Sequence, residues 1–194
     1  MPSGRVPATG QNFKSVGPIG THHDRSGKSR PLTVGEIQMA RPIFQSSIDY
    51  TRVRVHNKEY LWFGIQDDDT AMTPNGEIYF NSKHFKSDFS MEDTVYKLWF
   101  MHEMVHVWQY QLGYGVKMAG ITTNYRASNV YKYDVKTDTG KKLEDFNFEK
   151  QGDIIRNYYG ARFLNFDPLG HRKFLESVLT EFLGDPGNAK FLPK

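Results

Sequence analysis

His102-Glu103-Met104-Val105-His106 sets two imidazoles four residues apart around a carboxylate, a spacing that can grip a metal ion and activate water. On a helix, positions i and i+4 lie one above the other, so both rings leave the same face and reach one ion. Glu103 follows the first histidine, where its carboxylate can take a proton from an attacking water. A catalytic zinc uses three protein ligands and keeps a fourth position open, so this run lacks one ligand. The longer pattern His-Glu-x-x-His-x-x-Gly-x-x-His is excluded, because Gln109 and Leu112 stand where its glycine and third histidine belong.

A carboxylate from a second helix is the alternative source. Glu149 and Asp153 are four apart and share a helix face, with Phe148, Ile155 and Tyr159 as an apolar stripe to one side. Glu149 would complete the ligand set, and Asp153 could accept the distal N–H of a ligating histidine and fix its tautomer. Glu144, Asp145 and His171 are the other candidates for the third ligand. The 194 residues include no cysteine, so any metal must be held by His, Asp and Glu, and no disulfide framework exists.

These side chains need elements to position them. The motif helix opens at Ser90, where Ser90-Met91-Glu92-Asp93 has the pattern of a capping box, and stops at Gly113. Val95, Trp99, His102 and His106 share one face with Leu98 and Val105 beside them, which turns the imidazoles toward the core. A second, ligand-bearing helix spans residues 147–163 with Asn147 as its cap, and a third spans 168–183. Upstream, a helix from Thr33 or Val34 to Ile48 carries Ile37, Ala40, Phe44 and Ile48 on one side, with Pro42 marking a kink or break. Residues 52–55, 60–65, 77–80 and 130–135 read as strands; Asp67-Asp68-Asp69 and Pro74-Asn75-Gly76 read as turns. The three clustered acids lack the remaining spacing of a calcium loop. The order predicts an α+β fold, with a small antiparallel or mixed sheet packed on the motif helix and the second ligand-bearing helix.

Residues 1–31 are rich in Gly, Pro, Ser and basic groups without hydrophobic period, and read as a flexible arm or linker; residues 32–194 form one domain. His22-His23 in that arm is a poor ligand pair. Net charge of +3 is too mild to imply nucleic acid, and 14% aromatic residues suit a folded chain. No run approaches the roughly 20 apolar residues that span a bilayer. The N-terminus lacks the apolar centre of a signal peptide.

With these residues assembled, the chain resembles the glutamate-zincin metallopeptidases, whose zinc is held by His-Glu-x-x-His plus a Glu from a following helix. More narrowly, it resembles the zincin toxin domains at the C-termini of type VI secretion spike (VgrG-type) and Rhs-type proteins. Tyr131-Lys132-Tyr133-Asp134, residues 146–151, Ile154-Ile155 and Tyr158-Tyr159 carry that likeness, which covers residues 35–165. The resemblance implies a zincin-like fold with one zinc ion on His102, His106 and Glu149, and Glu103 as general base. It implies Tyr131 or Tyr133 as the oxyanion donor, with strand 77–80 offering an edge to an extended peptide. It also implies a peptide or protein substrate, a parent spike protein and a cognate immunity protein as partners. Contact-dependent export with action in a neighbouring cell's periplasm or a host cell follows from the same likeness. Two other readings share these residues. One is cleavage of peptidoglycan cross-links; the other is a non-catalytic, zinc-stabilised binding domain with His84 or His171 as a fourth ligand.

Overall fold

The motif helix carries large apolar residues on every side, and this decides the architecture: a helix without a distinct polar face must be enclosed. Helix α2 (Thr94–Gln111) buries Trp99, Phe100, Met101, Met104, Val105, Val107 and Trp108 along with the motif itself. The expectation of a single buried face is corrected at Val95, which is exposed in the first turn. The computed structural model describes residues 29–60, 70–123 and 129–194.

Around α2 stand α1 (Val34–Phe44), α3 (Val116–Thr122), α4 (Phe148–Phe163) and α5 (Arg172–Gly184), with a four-stranded sheet on another side. Strands β1 (Ser29–Pro31), β2 (Arg54–Asn57), β3 (Ala71–Met72) and β4 (Ile78–Phe80) lie in the order β1-β2-β4-β3. The β1–β2 and β3–β4 pairs are antiparallel, while β2 and β4 run parallel with Val55 opposite Ile78, so the sheet is mixed. Strand β4, expected to offer an edge, is interior; β3 is the edge on that side among the described residues. The fold is α+β, as the sequence order predicts.

Aromatic packing ties the layers together. Phe80 of β4 meets Trp99 edge-on at 5.1 Å, and Phe44, Trp108 and Phe182 bring α1, α2 and α5 together at 5.2–6.5 Å. Helix α2 makes its largest packing surface with α4. That pairing brings the two ligand-bearing helices side by side.

Several boundaries differ from expectation, each for a local reason. Helix α2 starts at Thr94 with Asp93 as its cap, Oδ1 accepting from the Tyr96 amide at 3.1 Å. Ser90 instead lies in a 3-10 turn (Phe89–Met91), its hydroxyl held by Asp88 and packed where α1 approaches at Gly35. Helix α1 passes through Pro42 but ends at Phe44 instead of Ile48, with Gln45 at φ 50°. The expected strand at 130–135 is a turn: the Asp134 carboxylate accepts the Lys136 and Thr137 amides, and Asp138 accepts the Asp134 amide, taking the donors a strand would need. Helix α5 begins at Arg172 rather than 168, because Asp167 captures the His171 and Arg172 amides after a turn through Gly170 at φ 66°. Helix α3 was not anticipated; its seven residues include Gly120 and show no apolar period.

Ser29–Pro31, assigned above to the arm, pair with β2, and Arg30 makes a bidentate contact with the fully buried Glu36 at 2.7 and 2.8 Å. The folded unit therefore includes residues before Leu32. Residues 1–28, with His22-His23, lie outside the described residues, as do 61–69 with most of the predicted strand 60–65 and the three-aspartate turn. No helix among the described residues is long and apolar enough to cross a membrane.

Candidate metal centre

Because α2 is helical across 102–106, the His102 and His106 rings leave it one turn apart, with Nε2 atoms 3.1 Å from each other. Helix α4, capped by Asn147 through its contact with the Lys150 amide, presents Glu149 from its first turn. Glu149 Oε2 lies 3.1 Å from His102 Nε2 and 3.4 Å from His106 Nε2. All three side chains are buried, and they are a group able to hold a metal ion.

The outer nitrogens define what this group offers. Asp153 Oδ1 stands 3.0 Å from His102 Nδ1, off the N–H axis, so the contact is closer to an ion-pair approach than to an aligned hydrogen bond. The same oxygen is 3.1 Å from Arg156 Nε. His106 Nδ1 donates to Gln109 Oε1 at 2.8 Å. With an acceptor beside each Nδ1, aligned only at His106, the two Nε2 atoms and the Glu149 carboxylate converge within 3.1–3.4 Å as three groups able to share electron pairs. Such a cluster needs a positive charge at its centre, either a proton or a cation. The protonation behaviour agrees: burial alone would lower His102, yet Asp153 and Glu149 push it up to about 9. Burial would raise Glu149, yet the two imidazoles hold it well below the carboxylate range.

Glu103, buried beside His102, accepts a 2.7 Å hydrogen bond from the Thr73 hydroxyl at the end of β3. The two tyrosines separate. Tyr131 stands with its ring 6.5 Å from that of His102. Tyr133 is stacked on Phe174 and its hydroxyl accepts from Asn157 at 3.0 Å, with burial pushing it up to about 12. The alternative ligands fall elsewhere. His84 faces Tyr96 and Trp99, His171 lies at the start of α5 against Tyr133, and Glu144 and Asp145 approach Lys194. None of the four belongs to the donor group.

Four residues at the site are given no role by the sequence alone. Gln109, noted only as a departure from a longer motif, sits three positions after His106 on the same helix; that spacing was the available signal. Gln151 binds Gln109, and Gly152 lies flat against the His102 ring. A glycine inside a helix is the usual trace of such a close approach. Thr73 comes from the sheet side, and nothing in its local sequence marks it.

No known protein-family profile matches the chain. Over 133 residues it is 40% identical to the type VI secretion system spike protein VgrG2b of Pseudomonas aeruginosa; the match covers 67% of this chain but only 13% of that protein. Among solved structures, the effector domain of Pseudomonas aeruginosa VgrG2b superposes with a TM-score of 0.61 at 36% identity, covering 80% of this chain and 82% of that one. The chain belongs to the family of the VgrG2b effector domain, a family of effector domains associated with type VI secretion spike proteins.

Proposed function

We propose that this chain is a zinc-dependent peptidase domain of the glutamate-zincin kind, acting as a toxin. The observation that carries the reading is the triangle of His102 Nε2, His106 Nε2 and Glu149 Oε2, with sides of 3.1, 3.1 and 3.4 Å. Tetrahedral zinc with ligands at about 2.0–2.1 Å spaces its donor atoms about 3.3–3.4 Å apart, so the triangle needs only a slight expansion. Three ligands from the protein are the number that leaves a position for substrate or water.

When bound, zinc supplies Lewis acidity and draws the pKa of water down toward about 7. Glu103, oriented by Thr73, accepts the proton of the attacking water and returns it to the leaving amine. Tyr131 is the oxyanion donor in this reading, supported by its ring standing 6.5 Å from that of His102. The β3 edge runs into Thr73, so an extended peptide pairing there would lie alongside Glu103. The kinship with VgrG2b supports a parent spike protein as carrier and contact-dependent export. In this reading the domain acts in a target cell's periplasm or a host cell, and a cognate immunity protein protects the producer.

The test is Glu103→Gln, assayed on protein substrates and on purified cell wall. The variant keeps the zinc content of the parent chain and loses turnover by about 10²–10⁴-fold. Equal hydrolysis by both forms rejects the role of Glu103. Release of wall peptides with no proteolysis moves the substrate to peptidoglycan.

A further inference from the structure

A line of buried amides runs from the C-terminal turn to the metal centre, and its polarity has no freedom. The Gln151 Nε2 group donates to the carbonyls of Leu143 and Phe191, both at 2.9 Å. A carbonyl can only accept, so the NH2 end of Gln151 must face this pair, leaving Oε1 toward Gln109. Gln109 therefore presents its own NH2, 2.9 Å from Gln151 Oε1 and 3.1 Å from the Phe148 carbonyl. Its Oε1 is then turned to His106 Nδ1 at 2.8 Å, and Nδ1 must carry a proton. Both glutamines are fully buried, so no water can substitute for a lost partner without cost.

We infer that Gln109 and Gln151 are positioning residues that hold His106 in the Nδ1–H tautomer and thereby reserve its Nε2 lone pair for the metal. Two backbone carbonyls fix Gln151, a third fixes Gln109, and His106 Nδ1 receives the outcome. Either glutamine, flipped, would set donor against donor or acceptor against acceptor at 2.8–3.1 Å. The arrangement also links the 3-10 turn Ala189–Phe191 to a residue of the donor cluster. The inference rests on the reading of this cluster as a zinc site, but it does not depend on which bond the protein cleaves.

The experiment reads metal affinity and ring-nitrogen state, not hydrolysis. In the zinc-loaded full chain with 15N-labelled histidine, His106 Nδ1 is expected as N–H and Nε2 as the coordinated nitrogen. Coordination through Nδ1 overturns the inference without any variant. Chelator competition then compares Gln109→Met and Gln151→Met, which keep length and remove the polar groups. Gln109→Met should lower zinc affinity by about 10–100-fold. Gln151→Met, which touches no ligand, should lower it by roughly 3–10-fold, less than the loss of a direct partner. Val178→Ala, a cavity in α5 at a side chain that makes none of the amide hydrogen bonds, should lower Tm and leave zinc affinity unchanged. Wild-type affinity in either glutamine variant refutes the relay, as does an equal loss in Val178→Ala. If these shifts appear in a chain that hydrolyses nothing, the relay stands and the peptidase reading falls; a chain that takes up no zinc rejects both.

Discussion

Gly152→Ala is the smallest change that should empty the metal centre. A Cβ at Gly152 would lie 2.6 Å from His102 Cε1, 2.8 Å from Nδ1 and 2.9 Å from Nε2. Carbon atoms in ordinary contact sit about 3.5 Å apart, so the ring or the helix must give by about 0.9 Å. The ring has little room, with Asp153 at 3.0 Å on one side and Glu149 at 3.1 Å on the other. If α4 moves instead, it carries Glu149 away from His106. Zinc ligands hold their distances to about 0.2 Å, so either displacement removes a ligand. Fold stability should fall by no more than about 2 kcal/mol. Overpacking costs about 1–3 kcal/mol, and alanine in place of glycine returns about 1 kcal/mol of helix propensity. Metal affinity should fall at least about 100-fold, roughly 2.8 kcal/mol, beyond the usual loss of an outer partner. Competition with a fluorescent chelator measures that loss, and circular dichroism follows the fold. Gly184→Ala, where no atom lies within 4 Å of the new Cβ, is the matched control and should leave zinc binding unchanged. Wild-type affinity in Gly152→Ala would show that His102 is not a ligand in this geometry.

Three further perturbations probe how the site and the fold are supported. Thr73→Val removes the 2.7 Å donor to Glu103, so kcat should drop by roughly 10-fold while zinc content holds; an unchanged kcat means Glu103 is positioned by something else. Arg30→Ala leaves Glu36 buried without its guanidinium partner and should cost about 3–5 kcal/mol in denaturant unfolding, and removal of residues 1–31 should match it. A loss below about 1 kcal/mol would place Ser29–Pro31 outside the folded unit.

How much of this was legible depended on whether the information was local. His102, Glu103 and His106 form a pattern within one helical turn, and Glu149 and Asp153 repeat that spacing on the next amphipathic stretch. Their convergence across α2 and α4 follows from two helices that each need burial. The α2 start was misplaced because Ser90 and Asp93 both have cap chemistry, and only the approach of Gly35 decides between them. The false strand at 130–135 has apolar alternation, but Asp134 and Asp138 capture backbone donors through side-chain contacts that periodicity does not register. Thr73 and Gln151 act through long-range contacts that a single sequence does not show, although Gln151 lies in the stretch that carries the family likeness.

The two ligand-bearing helices are already fastened by the core, so removal of zinc should leave the chain folded, unlike small domains that metal alone assembles. Ile154, Ile155 and Tyr158 on α4 are buried with Met101, Val105 and Trp108 on α2, in one continuous cluster. In the metal-free chain a proton takes the central charge. His102 is drawn down by burial but pushed further up by Asp153 and Glu149, to about 9 against an ordinary 6.5. A folded pKa above the unfolded one means the folded state binds the extra proton between these values. The stability it supplies is complete below about pH 6.5 and is lost as pH rises through about 9. The metal-loaded chain has exchanged that proton for zinc and does not share this loss. The gap in Tm between loaded and chelator-treated protein should therefore widen from pH 7 to 9.5. Burial holds Tyr50, Tyr96 and Tyr133 near about 12, so these phenols do not titrate in that window. A gap that stays constant or narrows would mean that no such proton occupies the cluster, and the charge at its centre would need another source.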